Sequence, residues 1–256
     1  MATILKLGGS VITEKDTPEA LDGPALDDAA DAVADALTAG EVRDLVVVHG
    51  GGSFGHHHAS EHGVSKTEGS GSAGDGMGSA TAAVEIHGAM KTLNEFVLAR
   101  LHDRAVPAVP VHPFSAASRD RDADLTLPSE QVRTMLGERF VPVLHGDVVA
   151  HEGEGVTILS GDEVVTSVAE AIDADRVGFF STVPGVLDDE DEVIPEIRSY
   201  DEVAAYIGGS DATDVTGGMA GKVRTLLDLG APASIFGPDD LRKFLSDDDP
   251  GTKIHR

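Results

Sequence analysis

Six apolar runs in this chain stop abruptly at glycine or a small polar residue, and that punctuation constrains the fold more than any other feature. They read TILKLGG from Thr3, LVVVHGGG from Leu45, VPVLHGD from Val141, VTILSGD from Val156, RVGFFSTVPG from Arg176 and ASIFGP from Ala233. Short uninterrupted runs of this kind suit strands buried on both faces. Helix-period stretches lie between them: Asp27 to Ala39, Ala80 to His102, Glu163 to Ile172 and Gly221 to Leu229. The alternation predicts an α/β fold: a three-layer αβα sandwich with a mainly parallel central sheet. In such sheets ligands bind beyond the carboxyl ends of the strands. Glycine there lets a ligand approach the backbone closely. With 256 residues, 41% of them hydrophobic, the chain can bury one sizeable core.

Charge narrows the partners. The chain carries 45 Asp and Glu against 19 Lys and Arg, a net of -26, and only seven of the bases are lysine. Such a surface repels nucleic acid and anionic membranes. The acid is spread among apolar residues, as in DDAADAVADAL, so it predicts a folded surface adapted to high salt and not an acidic tail. There is no cysteine, which excludes disulfides and thiol chemistry. No run reaches the ~18 apolar residues of a membrane helix, and MATILKLGGS lacks the pattern of a signal peptide. A cytoplasmic protein is expected.

The stretch VVVHGGGSFGHHHA, Val46 to Ala59, admits three readings. Gly50, Gly52 and Gly55 fit G-x-G-x-x-G, yet a histidine cluster and a Gly/Ser-rich segment follow, not the second strand of a dinucleotide unit. His56, His57, His58 and His62 could ligate a metal, but side chains of adjacent residues diverge and no H-E-x-x-H is present. The phosphate reading fits the rest of the chain. Backbone N–H groups of a glycine turn cradle anions, and KLGGS supplies a second such turn beside Lys6. DVTGGMAGKV, Asp214 to Val223, supplies a third beside Lys222, with spacing that departs from the Walker loop. Gly63 to Gly78 reads as either a linker or a lid.

The set ILKLGGSVIT, HGGGSFGH, VPVLHGDVV, ILSGDEVV and DVTGGMAGK resembles the amino acid kinase superfamily over nearly the whole chain. Within it the chain looks most like the branch whose acceptor is isopentenyl phosphate, because a histidine closes GGGSFGH. The resemblance implies the amino acid kinase fold as a single domain over residues 1–256. Its acceptor lobe would span 1–155 and its nucleotide lobe 156–256, with a small phosphorylated substrate and a second copy in a homodimer as the implied partners. It implies ATP, with Mg2+ held through the ATP phosphates and water, and transfer of a phosphoryl group to isopentenyl phosphate in isoprenoid precursor synthesis.

Residue by residue, it assigns Lys6, Gly8, Gly9, Ser10, Gly52, Gly218 and Lys222 to ATP, and Lys15 to closing the site. It assigns Gly51, His56 and Gly161 to the acceptor phosphate, with Lys6, His56, Lys222 and Lys15 as the catalytic set. Asp147 and Asp162 would orient lysines or water-bound magnesium, or cap loops. Ile86, Val148 and Ile158, with Met90, would meet the apolar tail. The chain departs from the family pattern at Thr182 and Pro184 of STVPG, and at Ala220. Two alternatives stay open: a kinase of a fosfomycin-like phosphonate or an amino acid, and a non-catalytic sensor of nucleotide or phosphometabolite. A carboxylate acceptor calls for a bidentate arginine near the acceptor loop, and none lies between Gly50 and Ala99.

Overall fold

Along the first strand the side chains alternate: Ile4 enters one hydrophobic cluster, while Leu5 and Leu7 enter another. Val46 and Val48 of the next strand split from Leu45 and Val47 in the same way. A strand buried on both faces demands helices on both faces, and the chain supplies them.

The computed structural model describes residues 1–71, 76–207 and 218–255. In chain order its elements are β1 (Ala2–Leu7), α1 (Gly9–Ile12), α2 (Gly23–Ala39), β2 (Asp44–His49), α3 (Gly52–Glu61), α4 (Gly76–His102) and β3 (Ala108–Pro110). Then come β4 (Ser118–Arg119), β5 (Leu125–Thr126), α5 (Glu130–Gly137), β6 (Val141–His145), β7 (Asp147–His151), β8 (Gly155–Leu159) and α6 (Gly161–Ile172). The remainder is β9 (Arg176–Phe180), β10 (Glu196–Ile197), α7 (Ala204–Ile207), α8 (Gly218–Asp228), β11 (Ala233–Phe236), α9 (Leu241–Leu245) and β12 (Thr252–Ile254). The central sheet has eight strands in the order β10-β12-β11-β9-β1-β2-β6-β3. Every pairing in it is parallel except β11 with β12. Helices α5, α6 and α8 cover one face, and α2, α3, α4 and α9 the other. The three-layer expectation holds.

Local chemistry sets the helix starts. Asp22 accepts a hydrogen bond from Ala25 N at 3.0 Å and Pro24 occupies the first turn, so α2 begins at Gly23, ahead of the expected Asp27. Ser160 and Glu163 form a reciprocal capping box that fixes α6. One expectation is corrected. The Val156 run does not join the central sheet: β8 pairs antiparallel with β7 in a separate four-stranded sheet, β5-β4-β7-β8. Only Gly146 separates β6 from β7, and a three-residue turn separates β7 from β8. So tight a connection can only make a hairpin. The hairpin lies over α3 and α4, and a satellite cluster of Ala59, Val64, Ala82, Ala83, Ile86, Val148 and Val156 fills the space between.

Candidate active site

The carboxyl ends of β1 and β2 meet as bare backbone. A Cβ on Gly9 would stand 2.7 Å from Gly52 Cα, and one on Gly50 2.7 Å from Gly9 N. Gly52 sits at φ +48, in the left-handed region that disfavours a side chain. Ser53 N, in the first turn of α3, donates to Thr13 Oγ1 at 3.0 Å and ties the two loops together. Two further glycines close the ring. A Cβ on Gly146 would lie 3.0 Å from Gly161 N, and one on Gly161 3.3 Å from Lys6 Cε and 3.4 Å from His49 O. Gly8, Gly9, Gly51, Gly52 and Gly161 are thus brought together, and Gly146 joins them although its sequence context drew no expectation.

The charged centre of this ring is Asp162, the second residue of α6. It pairs with the Lys6 amine, and both side chains are largely buried, 13% and 12% exposed. Burial raises the Asp162 pKa, but the charges of Lys6, Lys222 and Lys66 outweigh it and hold the carboxyl below its usual value. The Lys6 amine also lies 5.5 Å from the centre of the Phe179 ring. Lys66, on the Gly63 to Gly78 segment, is a cation the sequence reading missed. Its amine is 3.3 Å from Glu163, which also pairs with Arg119. Burial raises the Glu163 pKa too, and Lys66, the Ser160 N–H and Arg119 more than offset it. Part of that segment is strapped to β8, through Ile158 N to Ser65 O at 2.9 Å and Ser70 N to Val156 O at 3.0 Å. Three of seven lysines therefore act on one carboxylate, in a chain with 45 acids.

The other expected residues lie on several elements. Ser10 is exposed in α1, and Lys15 is exposed on the turn that follows Thr13. His56 is exposed on α3. Gly218 begins α8 and Lys222 lies on it, whereas Asp214 to Gly217 fall outside the described residues. Ile86 and Val148 are buried in the satellite cluster and Ile158 packs against it, so the three expected tail contacts share one apolar patch. Met90 instead belongs to the main core, its sulfur beneath Gly51 and Gly55. Asp147 does not orient a lysine: it accepts from His87 Nδ1 at 2.9 Å and from Val148 N at 2.9 Å. The surface histidines act as ties, His58 to Glu19 at 2.8 Å and His62 to Glu85 at 2.6 Å. Among the described residues no group of three or more His, Asp or Glu side chains is set to hold a metal.

A parallel sheet whose carboxyl edge carries backbone-lined glycine turns, a buried lysine–carboxylate pair and further amines belongs to the class of α/β proteins that take anionic ligands at strand ends. Comparison with known proteins makes this specific. The Amino acid kinase family matches residues 1–231. The chain belongs to that family. It is 57% identical to the isopentenyl phosphate kinase of Haloferax volcanii over 251 residues, 98% of this chain and 97% of the relative. It is 33% identical to that of Methanocaldococcus jannaschii, over 87% of this chain and 85% of the relative. A solved isopentenyl phosphate kinase structure superposes with a TM-score of 0.82 at 27% identity, covering 99% of this chain and 100% of that one.

Proposed function

We propose that the protein is a phosphotransferase that carries the γ-phosphoryl group of ATP onto isopentenyl phosphate, forming isopentenyl diphosphate for isoprenoid synthesis. The observation that carries this reading is the near end-to-end 57% identity with a relative of that name. The apolar patch at Ile86, Val148 and Ile158 supports a short hydrocarbon tail. A five-carbon chain buried there gains ~2–4 kcal/mol.

In the reaction an oxygen of the acceptor phosphate attacks the γ-phosphorus, the bond to the ADP oxygen breaks, and a P–O–P linkage forms. The attacking oxygen is already anionic, so positioning and charge neutralisation do the work. Lys6, Gly8, Gly9, Ser10, Gly52, Gly218 and Lys222 hold the nucleotide phosphates, and Lys15 closes over them. Gly51, His56 and Gly161 hold the acceptor phosphate. Asp162 aims the Lys6 amine through their ion pair. Magnesium, when bound, would be carried by the nucleotide phosphates and water and would neutralise charge on those phosphates. The acceptor lobe spans 1–155 and the nucleotide lobe 156–256, within one domain joined by the continuous central sheet. The protein works in a salt-rich cytoplasm, as a homodimer.

The test is ADP release in molar KCl with isopentenyl phosphate, fosfomycin, N-acetylglutamate and UMP as acceptors. Isopentenyl phosphate should give the highest kcat/KM. His56→Ala should lower turnover at least ~100-fold, the usual scale for losing one donor to developing charge, with ATP affinity nearly unchanged. Preference for another acceptor, or a fully active His56→Ala, overturns the assignment.

A further inference from the structure

Two histidines stand where β2 and β6 end, and the functional reading above uses neither. His49 and His145 are direct register partners across the parallel pair. Both are 0% exposed. Their rings stack with centroids 5.3 Å apart. Each does the same unusual thing with its Nδ1: it bonds the carbonyl oxygen of the glycine that follows it, Gly50 O at 3.1 Å and Gly146 O at 2.8 Å. A carbonyl only accepts, so both Nδ1 atoms carry the proton.

The other ring nitrogen is then fixed by logic. Burial pushes the pKa of His49 to about 4 and that of His145 to about 3. Both rings are neutral near pH 7, and each Nε2 must accept. His49 Nε2 takes the Asn94 amide at 3.0 Å, and His145 Nε2 takes His112 Nδ1–H at 2.8 Å. Asn94 turns its donor to the ring although its own Oδ1 is buried without a partner, an arrangement that costs about 1–3 kcal/mol. Such a cost persists where a fixed geometry is needed.

What is fixed is the peptide after each histidine. Gly50 and Gly146 have no Cβ to restrict them, so their peptide planes have wide latitude. A bond from ring to carbonyl removes that latitude. In a trans peptide the N–H points opposite to the C=O. With the Gly50 carbonyl turned toward His49, the Gly51 N–H faces away from the ring, at the start of α3. On the second loop, Gly146 is held against Gly161 N, beside Lys6.

We infer that His49 and His145 are positioning residues for phosphoryl transfer, a stacked pair of imidazoles that sets the peptide planes of Gly50 and Gly146 at the acceptor end of the site. This rests on the function proposed above. Asparagine can place its Nδ2 near the histidine Nδ1 position, and glutamine places its amide near Nε2. The bond to the glycine carbonyl is thus kept by His49→Asn and His145→Asn and lost in His49→Gln and His145→Gln.

The experiment measures initial rates against isopentenyl phosphate and against ATP for wild type and all four variants, with melting temperatures alongside. The glutamine variants should raise the acceptor KM about tenfold, equivalent to ~1.4 kcal/mol. Their KM for ATP should stay within about twofold, and the asparagine variants should recover most of the loss. Asparagine and glutamine variants with equal acceptor KM, differing from wild type only in melting temperature, overturn the inference. If a glutamine variant fails to fold, imidazole nitrogen NMR of the wild type decides. Nδ1-protonated neutral rings at positions 49 and 145 whose signals shift on isopentenyl phosphate binding support the inference, and Nε2-protonated or unresponsive rings overturn it. Wild-type enzyme that does not turn over isopentenyl phosphate removes the functional reading itself, an outcome separate from wild-type activity with unaffected glutamine variants.

Discussion

Lowering the pH from 7.5 to 5.0 should strip this protein of a large share of its stability, and the same two histidines set the size. An unfolded histidine titrates near 6.5, whereas folded His49 titrates near about 4 and His145 near about 3. A group whose folded pKa is depressed contributes stability that is fully present above its unfolded pKa and is lost as pH falls toward its folded pKa. Between pH 6.5 and about 4 the unfolded chain binds protons that the native state refuses. Each histidine then removes ~1.4 kcal/mol per pH unit, so at pH 5.0 the pair removes on the order of 4 kcal/mol against a total of ~5–15. The neighbours of the pair are Asn94, His112, His87 and Asp147. The loss of stability from the depressed carboxyls of Asp162 and Glu163 begins only as pH drops below their unfolded values, under the window tested. Urea unfolding in molar KCl, which screens surface charge, reads the effect as a midpoint that falls by roughly 1 M or more. His145→Gln should show a shallower slope than wild type, because His49 and His112, whose pKa burial also lowers, remain. A midpoint flat from pH 7.5 to 5.0, or equal slopes in the two proteins, refutes the reasoning.

Other outcomes follow from the same geometry. Gly9→Ala drives a methyl to 2.7 Å from Gly52 Cα, backbone against backbone; it should lower stability by ~1–3 kcal/mol or more, and an unchanged calorimetric melting temperature would sink the close-contact argument. Asp162→Asn leaves the Lys6 amine unneutralised in a largely buried place; a loss of ~3 kcal/mol is expected, partly restored by millimolar inorganic phosphate in a thermal-shift assay, and no phosphate response would count against an anion site there. Moving from molar to about 0.1 M KCl lengthens the screening distance to ~10 Å, so a net charge of -26 should lower the melting temperature markedly.

Strand existence was readable where it is local: each of the six apolar runs stopped by glycine or a small polar residue forms a strand, whereas the short β3, β4, β5, β10 and β12 and the β7 arm of the hairpin left no such signal. Sheet membership was not. Val156 to Leu159 has the same character as the other runs, and the three-residue turn that folds it back onto β7 takes it to a second sheet. The start of α2 was legible in Asp22 and Pro24, although periodicity pointed to Asp27. In the site, the glycines and Lys6 stood out by spacing, whereas Lys66 was hidden in a Gly/Ser-rich segment that placed it nowhere in particular. His49 and His145 did leave a trace: VVVHG and VLHGD both end an apolar run with His-Gly. An isolated histidine there reads as an ordinary strand end, and only the register of β2 against β6 reveals the pair.

The four-stranded sheet makes the chain a two-storey building. Where the ground-floor loops touch glycine to glycine, almost no amino-acid replacement is admissible. Upstairs, the hairpin of β7 and β8 leans on α3 and α4 through ordinary aliphatic side chains. Descendants of such a chain are therefore free to remodel the upper storey while the glycine loops beneath stay frozen.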